Sequence, residues 1–133
     1  MLNVALLGFG RVGQMHAENI NNHKNLKLLY IYEKLKKLSI KAKNLYKCKI
    51  EKNYINIFKD DNVDIIFIST PTNTHIKFIE EGIKYKKIIF CEKPLDLNID
   101  KIIKTFIKVK KNNSKIQLGF NRRYDPGHFS IKR

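Results

Sequence analysis

Asn3-Val4-Ala5-Leu6-Leu7-Gly8-Phe9-Gly10-Arg11-Val12-Gly13 lies at the start of the chain, an apolar run that breaks into glycines spaced G-x-G-x-x-G. The run carries no charge and stops at Gly8, so it reads as a buried strand followed by a tight turn. Gly10 to Asn21 then has helical spacing, with Val12, Met15, His16 and Ile20 near one face. A glycine pattern placed between strand and helix has a physical meaning that the pattern alone lacks. Gly8 allows the turn. Gly10 lets backbone approach a pyrophosphate with no Cβ in the way, and Gly13 lets the helix lie close to the strand. The N–H groups of the first helical turn, with the helix dipole behind them, then face phosphate oxygens. Gly8, Phe9, Gly10, Arg11, Val12 and Gly13 are therefore a candidate dinucleotide-phosphate site. The alternative is a plain strand-to-helix turn.

The second apolar run, LKLLYIY (26–32), ends at Glu33, twenty residues beyond Gly13. A carboxylate there is placed to accept hydrogen bonds from the adenosine ribose hydroxyls, and its charge repels a 2′-phosphate, which favours NAD over NADP. Lys34 acts in the opposite sense, since a cation receives that phosphate. An ordinary strand-end acid is the other reading of Glu33.

Beyond this point strands and helices keep alternating. Leu35 to Tyr46 has a helical stripe of Leu35, Leu38, Ala42 and Leu45 with lysines opposite. Residues 47–58 fit a short third strand and one helical turn. VDIIFIS (63–69) is the clearest strand, Thr74 to Tyr85 is helical, and KIIFC (87–91) is again a strand. Asn98 can cap a helix that runs to Lys111, and KIQLGF (115–120) is the last strand. This order implies right-handed crossovers and a parallel sheet. Several strands are apolar throughout, which predicts a sheet covered on both faces. The fold class is α/β, a Rossmann-type doubly wound parallel sheet of about six strands.

Two loops follow the carboxyl ends of strands, where an open parallel sheet binds its ligands. The first, Ser69-Thr70-Pro71-Thr72-Asn73-Thr74-His75, belongs beside the cofactor, with Thr70, Pro71, Asn73 and His75 as candidates. Thr74 or Asn73 can cap the next helix. His75 either bonds its own loop or touches the cofactor. The second is Glu92-Lys93-Pro94. A lysine in such a crevice can donate a hydrogen bond to a substrate hydroxyl, and shares in proton transfer if burial lowers its pKa. The bland alternative is one more surface lysine.

The net charge of +15 comes from 27 basic residues, of which only Arg11, Arg122, Arg123 and Arg133 are arginine. Readers of nucleic acid use arginine forks and aromatic platforms. Lysines scattered along a chain rich in isoleucine and asparagine read as solvated faces, so no specific nucleic-acid partner is expected. No apolar run reaches the ~20 residues that cross a bilayer, and the N-terminus lacks the basic start of a signal peptide. Cys48 and Cys91 form no spaced pair and read as reduced thiols of a cytoplasmic protein.

G-x-G-x-x-G with His16-Ala17 after it, Ser-Thr-Pro-x-x-x-His at 69–75, Cys-Glu-Lys-Pro-Leu at 91–95 and Gly-Phe-Asn-Arg-Arg-Tyr-Asp-Pro at 119–126 together resemble the Gfo/Idh/MocA oxidoreductase family. The resemblance implies NAD-dependent oxidation of a ring hydroxyl of an inositol or related sugar. It implies Lys93 as the active-site lysine near the nicotinamide, Glu92 beside the cofactor, Arg122 toward the polyol substrate, and Asn73 and His75 by the nicotinamide half. Family members also carry a second domain, an open antiparallel sheet with most substrate contacts, the homo-oligomer interface and an Asp/His pair whose histidine serves as base. Nothing in these residues corresponds to it. The expected division is an NAD-binding domain over 1–120 and, over 121–133, the start of a linker. An apolar patch is expected near 119–133, where that domain would dock.

Overall fold

The computed structural model describes residues 1–127. In chain order the elements are β1 (Leu2–Leu7), α1 (Arg11–Asn22), β2 (Leu26–Tyr32), α2 (Lys36–Leu45), β3 (Lys49–Glu51), α3 (Tyr54–Lys59), β4 (Ile65–Ile68), α4 (His75–Lys84), β5 (Ile88–Cys91), α5 (Ile99–Lys111) and β6 (Ile116–Leu118). A 3-10 turn over Thr72–Thr74 leads into α4, and a second, Asn121–Tyr124, follows β6. All strands are parallel and lie in the order β3-β2-β1-β4-β5-β6. The order reverses between β1 and β4, which opens a crevice above their carboxyl ends. Leu7 pairs with Ile68 there, so Gly8 and Ser69 emerge side by side.

Alternation along β1 splits the core in two. Val4 and Leu6 pack with Ala17, Ile20, Ile31 and Ala42 on the side of α1 and α2. Ala5 and Leu7 pack with Phe58, Ile66, Phe78, Ile79 and Ile89 on the side of α3 and α4. Fully burying each large apolar side chain contributes about 1.5–3 kcal/mol.

Three expectations change. The buried face of α1 is Gly13, Ala17 and Ile20, while Met15 is half exposed. Small residues let the helix axis approach the sheet, so they, and not the larger Met15, turn inward. In α2 only Ala42 is fully buried, and Leu35 and Leu45 face solvent. Neither is the sheet covered evenly. On the α1 side of β4 and β5, Phe67 stacks on Phe90 with ring centroids 4.5 Å apart, yet both rings stay half buried and Gln117 beside them is exposed. No helix beyond α1 lies over that part of the face among the described residues.

Most lysines are solvated, but Lys87 is buried, with its Nζ donating to the carbonyls of Asp60 (2.7 Å) and Val63 (2.8 Å). Two carbonyls replace water around the ammonium and tie the α3–β4 connection to the start of β5. Exposed apolar residues do occur near the chain's end: Phe120 and Tyr124 are exposed, as are Ile99, Ile103, Phe106 and Ile107 on the outer face of α5. Residues 128–133 of the expected linker and patch lie outside the described residues.

The Asn98 cap forms as its sequence position requires: Oδ1 accepts from the N–H groups of Asp100 (2.9 Å) and Lys101 (3.2 Å). Asn98→Ala is expected to lower the unfolding free energy by about 1 kcal/mol in urea titrations. Phe58→Ala, which empties a fully buried ring site, is expected to cost about 3–5 kcal/mol.

Candidate cofactor and active site

Gly8 adopts φ 90°, and a Cβ there would lie 2.7 Å from the Ser69 carbonyl oxygen. A Cβ on Gly13 would lie 2.2 Å from the Gly8 carbonyl oxygen. Neither neighbour can yield, since both are backbone. Gly10 is different: a Cβ would meet nothing within 4 Å. Two glycines are thus needed by the fold, and the third borders open space on the ligand side. Gly10 also caps α1 without a side-chain hydrogen bond, and no acid stands in the first turn. The first-turn N–H groups and Arg11 therefore present an uncompensated positive end to an anion. The Phe9 ring takes no part in this; it is fully buried, edge-on to Tyr46.

Glu33 is tied into the same turn. Its Oε2 accepts the Phe9 N–H and its Oε1 accepts the Leu35 N–H, both at 2.8 Å. The half-buried carboxylate therefore fixes the glycine turn against the start of α2. A cavity of about 580 Å³ runs from Gly8, Gly10, Arg11 and Val12 past Glu33 and Lys34 to Leu35, Leu38, Thr70, Pro71, Thr74 and Phe78. It has an apolar slot, a carboxylate on its wall and a helix N-terminus at one end, which suits adenine, ribose and phosphate in that order.

The loop after β4 is held from within. Ser69 Oγ donates to the Gly8 carbonyl (2.9 Å), and Thr74 Oγ1 donates to the Pro71 carbonyl (2.7 Å). Neither Thr74 nor Asn73 caps α4 with its side chain, because the 3-10 turn runs straight into the helix. Asn73 is exposed. His75 is 2% exposed, with Nδ1 facing the Pro94 carbonyl and Nε2 facing the Thr70 carbonyl, each at 2.8 Å. It lies between the strand ends of β4 and β5, and as a neutral imidazole it donates to one of these two carbonyls.

Lys93 is exposed at the end of β5, and the Lys93–Pro94 bond is cis. A cavity of about 510 Å³ is lined at one side by Arg11 and Val12 and at the other by Glu92 and Lys93. A neighbouring cavity of about 540 Å³ is lined by Lys93, Phe120, Asn121, Arg122 and Arg123. The glycine turn, Glu92, Lys93 and Arg122 thus share one continuous edge of the sheet. The sequence reading missed His16 as a site residue. Its Nε2 donates to Glu92 Oε1 at 2.7 Å, and a Cβ on Gly119 would press on that carboxylate at 3.2 Å. The available signal was a histidine on a helix face one turn beyond the glycines. Among the described residues no group of three or more His, Cys, Asp or Glu could hold a metal ion, and no helix is long and apolar enough to cross a membrane.

The model of the Gfo/Idh/MocA oxidoreductase family, NAD-binding Rossmann fold, matches residues 2–120. The chain belongs to this family. A scyllo-inositol 2-dehydrogenase (NAD(+)) of Bacillus subtilis strain 168 is 34% identical over 131 residues, 97% of this chain and 38% of its own length. An inositol 2-dehydrogenase of Rhizobium meliloti strain 1021 is 30% identical over 128 residues, 96% of this chain and 38% of its own. The crystal structure of scyllo-inositol dehydrogenase from Lactobacillus casei with bound NAD(H) and scyllo-inositol superposes with a TM-score of 0.89 at 29% identity, covering 99% of this chain and 40% of that one. The chain therefore spans about two fifths of the length of these relatives. NAD fits the residues present. Gly10 borders open space on the ligand side of the turn, Glu33 lines the same cavity as that turn, and a second cavity that shares Arg11 and Val12 with it is lined by Glu92 and Lys93.

Gly13→Ala is expected to abolish NADH binding and lower stability by more than about 2 kcal/mol, read by calorimetric titration and urea unfolding. Burial pushes the Cys91 thiol up to about 12 and the Cys48 thiol up to about 11, from 9.0. Above pH 9 the unfolded chain loses these protons while the folded chain keeps them. Stability is therefore fully present below pH 9 and is lost as pH rises through 9 toward 11 and 12. The urea midpoint is expected to fall over that range, less steeply in Cys91→Ala, and alkylation at pH 8 to need unfolding.

Proposed function

We propose that this chain forms the NAD-binding half of the active site of a dehydrogenase that oxidises a ring hydroxyl of an inositol or a related sugar. Residues 1–120 bind the cofactor and residues 121–133 begin the link to a substrate-binding domain. The observation that supports this best is the single cavity with Arg11 and Val12 on one wall and Glu92 and Lys93 on the other. A dinucleotide whose phosphates lie on the glycine turn reaches Lys93 with its far end. Thr70, Pro71 and Glu33 hold its adenosine half. When bound, NAD supplies the hydride acceptor. The Lys93 ammonium donates a hydrogen bond to the reacting hydroxyl oxygen and stabilises the negative charge that grows there as its proton leaves. Arg122 orients the polyol on the adjoining wall. Removal of that proton needs a base; among the described residues, those lining the cavity between Lys93 and Arg122 include no carboxylate or imidazole, while the His16 and Glu92 that line the cavity on the other side of Lys93 are bonded to each other. In this reading the base belongs to the substrate domain to which residues 121–133 lead. Two buried or half-buried thiols with no disulfide support a reduced, cytoplasmic setting, and the longer protein self-associates through its substrate domain.

A second reading, a module that binds NAD without turnover, is favoured by the chain's spanning only about two fifths of the length of its relatives. Titrating NAD and then adding inositol while following NADH absorbance separates the two. Binding without turnover is expected of the 133-residue chain, and turnover by it would contradict the need for a further domain. Glu33→Ala is expected to weaken NAD binding about tenfold and to lose the preference over NADP. An unchanged preference would remove Glu33 from the ribose.

A further inference from the structure

The Lys93 loop is pinned from two sides by histidines that come from different helices. After Lys93, the Pro94 carbonyl faces His75 Nδ1 at 2.8 Å. Before it, Glu92 is held by His16 at 2.7 Å. The His16 side chain is 12% exposed and Glu92 18%, so this hydrogen bond sits in a poorly solvated place, where a charge-assisted bond is worth most. The His16 ring packs edge-on against Phe67 and Phe90, with centroids 5.6 and 5.2 Å away, which fixes its plane. The carboxylate lies over Gly119, where an added Cβ would stand 3.2 Å from it. Its second oxygen, Oε2, accepts the Lys93 N–H at 3.2 Å. A continuous chain thus runs from α1, through His16 and the Glu92 carboxylate, to the backbone of Lys93.

We propose that His16 is a positioning residue for the nicotinamide end of the site, acting through Glu92 to hold the Lys93 backbone. This rests on the reading of the cavity as an NAD site. His16 also lines this cavity, but with its Nε2 taken by Glu92 and its ring against two phenylalanines it acts on the site through Glu92. Its role is to keep the Glu92 carboxylate turned to the Lys93 N–H, so that Lys93 leaves β5 in one direction. Without the imidazole, Glu92 turns to solvent and the loop loses the anchor on its strand side. The adenosine and phosphate subsites, built on Gly8–Gly13 and Glu33, share no hydrogen bond with this chain and remain as they are.

The test compares NADH with ADP-ribose, which lacks the nicotinamide half, in calorimetric titrations of the 133-residue chain as wild type, His16→Gln, His16→Leu, Glu92→Gln and His16→Leu/Glu92→Gln. His16→Leu is expected to weaken NADH about tenfold and leave ADP-ribose unchanged. His16→Gln, which keeps a donor near Nε2, is expected to stay close to wild type. The double variant is expected to lose little beyond Glu92→Gln, the non-additivity of two residues acting in one chain. Equal weakening of both ligands by His16→Leu would reduce His16 to general packing and overturn the proposal, as would a Gln variant as poor as the Leu variant. The Lys93 amide resonance in the ligand-free chain gives a second readout: it should move in His16→Leu and Glu92→Gln alike and hold in His16→Gln, and an unmoved resonance in His16→Leu would also overturn the proposal. That readout decides the role of His16 even if the wild type binds neither nucleotide, a result that would sink the cofactor reading alone.

Discussion

The contact on which the rest of the site depends is backbone on backbone. The Gly13 Cα rests so near the Gly8 carbonyl that a side chain at Gly13 would stand 2.2 Å from its oxygen. This closeness lets α1 start directly above the end of β1. Its first-turn N–H groups are thereby aimed into the crevice between β1 and β4. Ser69 closes the other wall through its hydrogen bond to the Gly8 carbonyl, and Glu33 braces the turn from β2 through the Phe9 N–H. Three strand ends thus converge on one turn of three glycines, and every further feature is placed relative to it.

Part of this was legible because the physics is local. Glycine spacing between a strand and a helix constrains backbone within six residues, so the sequence states it directly. The Asn98 cap is of the same kind, as is the position of Glu33 at the end of β2. The buried face of α1 was harder, because hydrophobic spacing counts large apolar residues. The helix instead turns inward its Gly13 and Ala17, whose small size is what allows the approach. The half-open face over Phe67 and Phe90 was not legible either. A run of apolar residues reports that a strand wants covering, and it does not say which covering element the chain supplies.

The pairing of His16 with Glu92 lies furthest from what a sequence can show. The two residues are 76 positions apart and meet only because β4 and β5 fall on the far side of β1 from β2. Such a contact depends on strand order, which is settled by the whole sheet. The same holds for His75: its spacing after Pro71 allows either a loop role or a cofactor contact, and only the closeness of the β4 and β5 ends brings its two ring nitrogens to face backbone carbonyls. The net charge of +15, by contrast, is spread over the whole chain. Beside the crevice stand only a few of these cations, Arg11, Lys93 and Arg122 among them.

The central claim is that one dinucleotide lies across the crevice from the glycine turn to Lys93. Mapping backbone amide shifts of the 133-residue chain during an NAD titration tests it most directly. The account predicts saturable shifts at Gly8–Gly13, Glu33–Leu35, Thr70–Thr74 and Glu92–Lys93, with β3 and the outer face of α5 unmoved. Saturable shifts confined to other surfaces, or none at millimolar NAD, would contradict it.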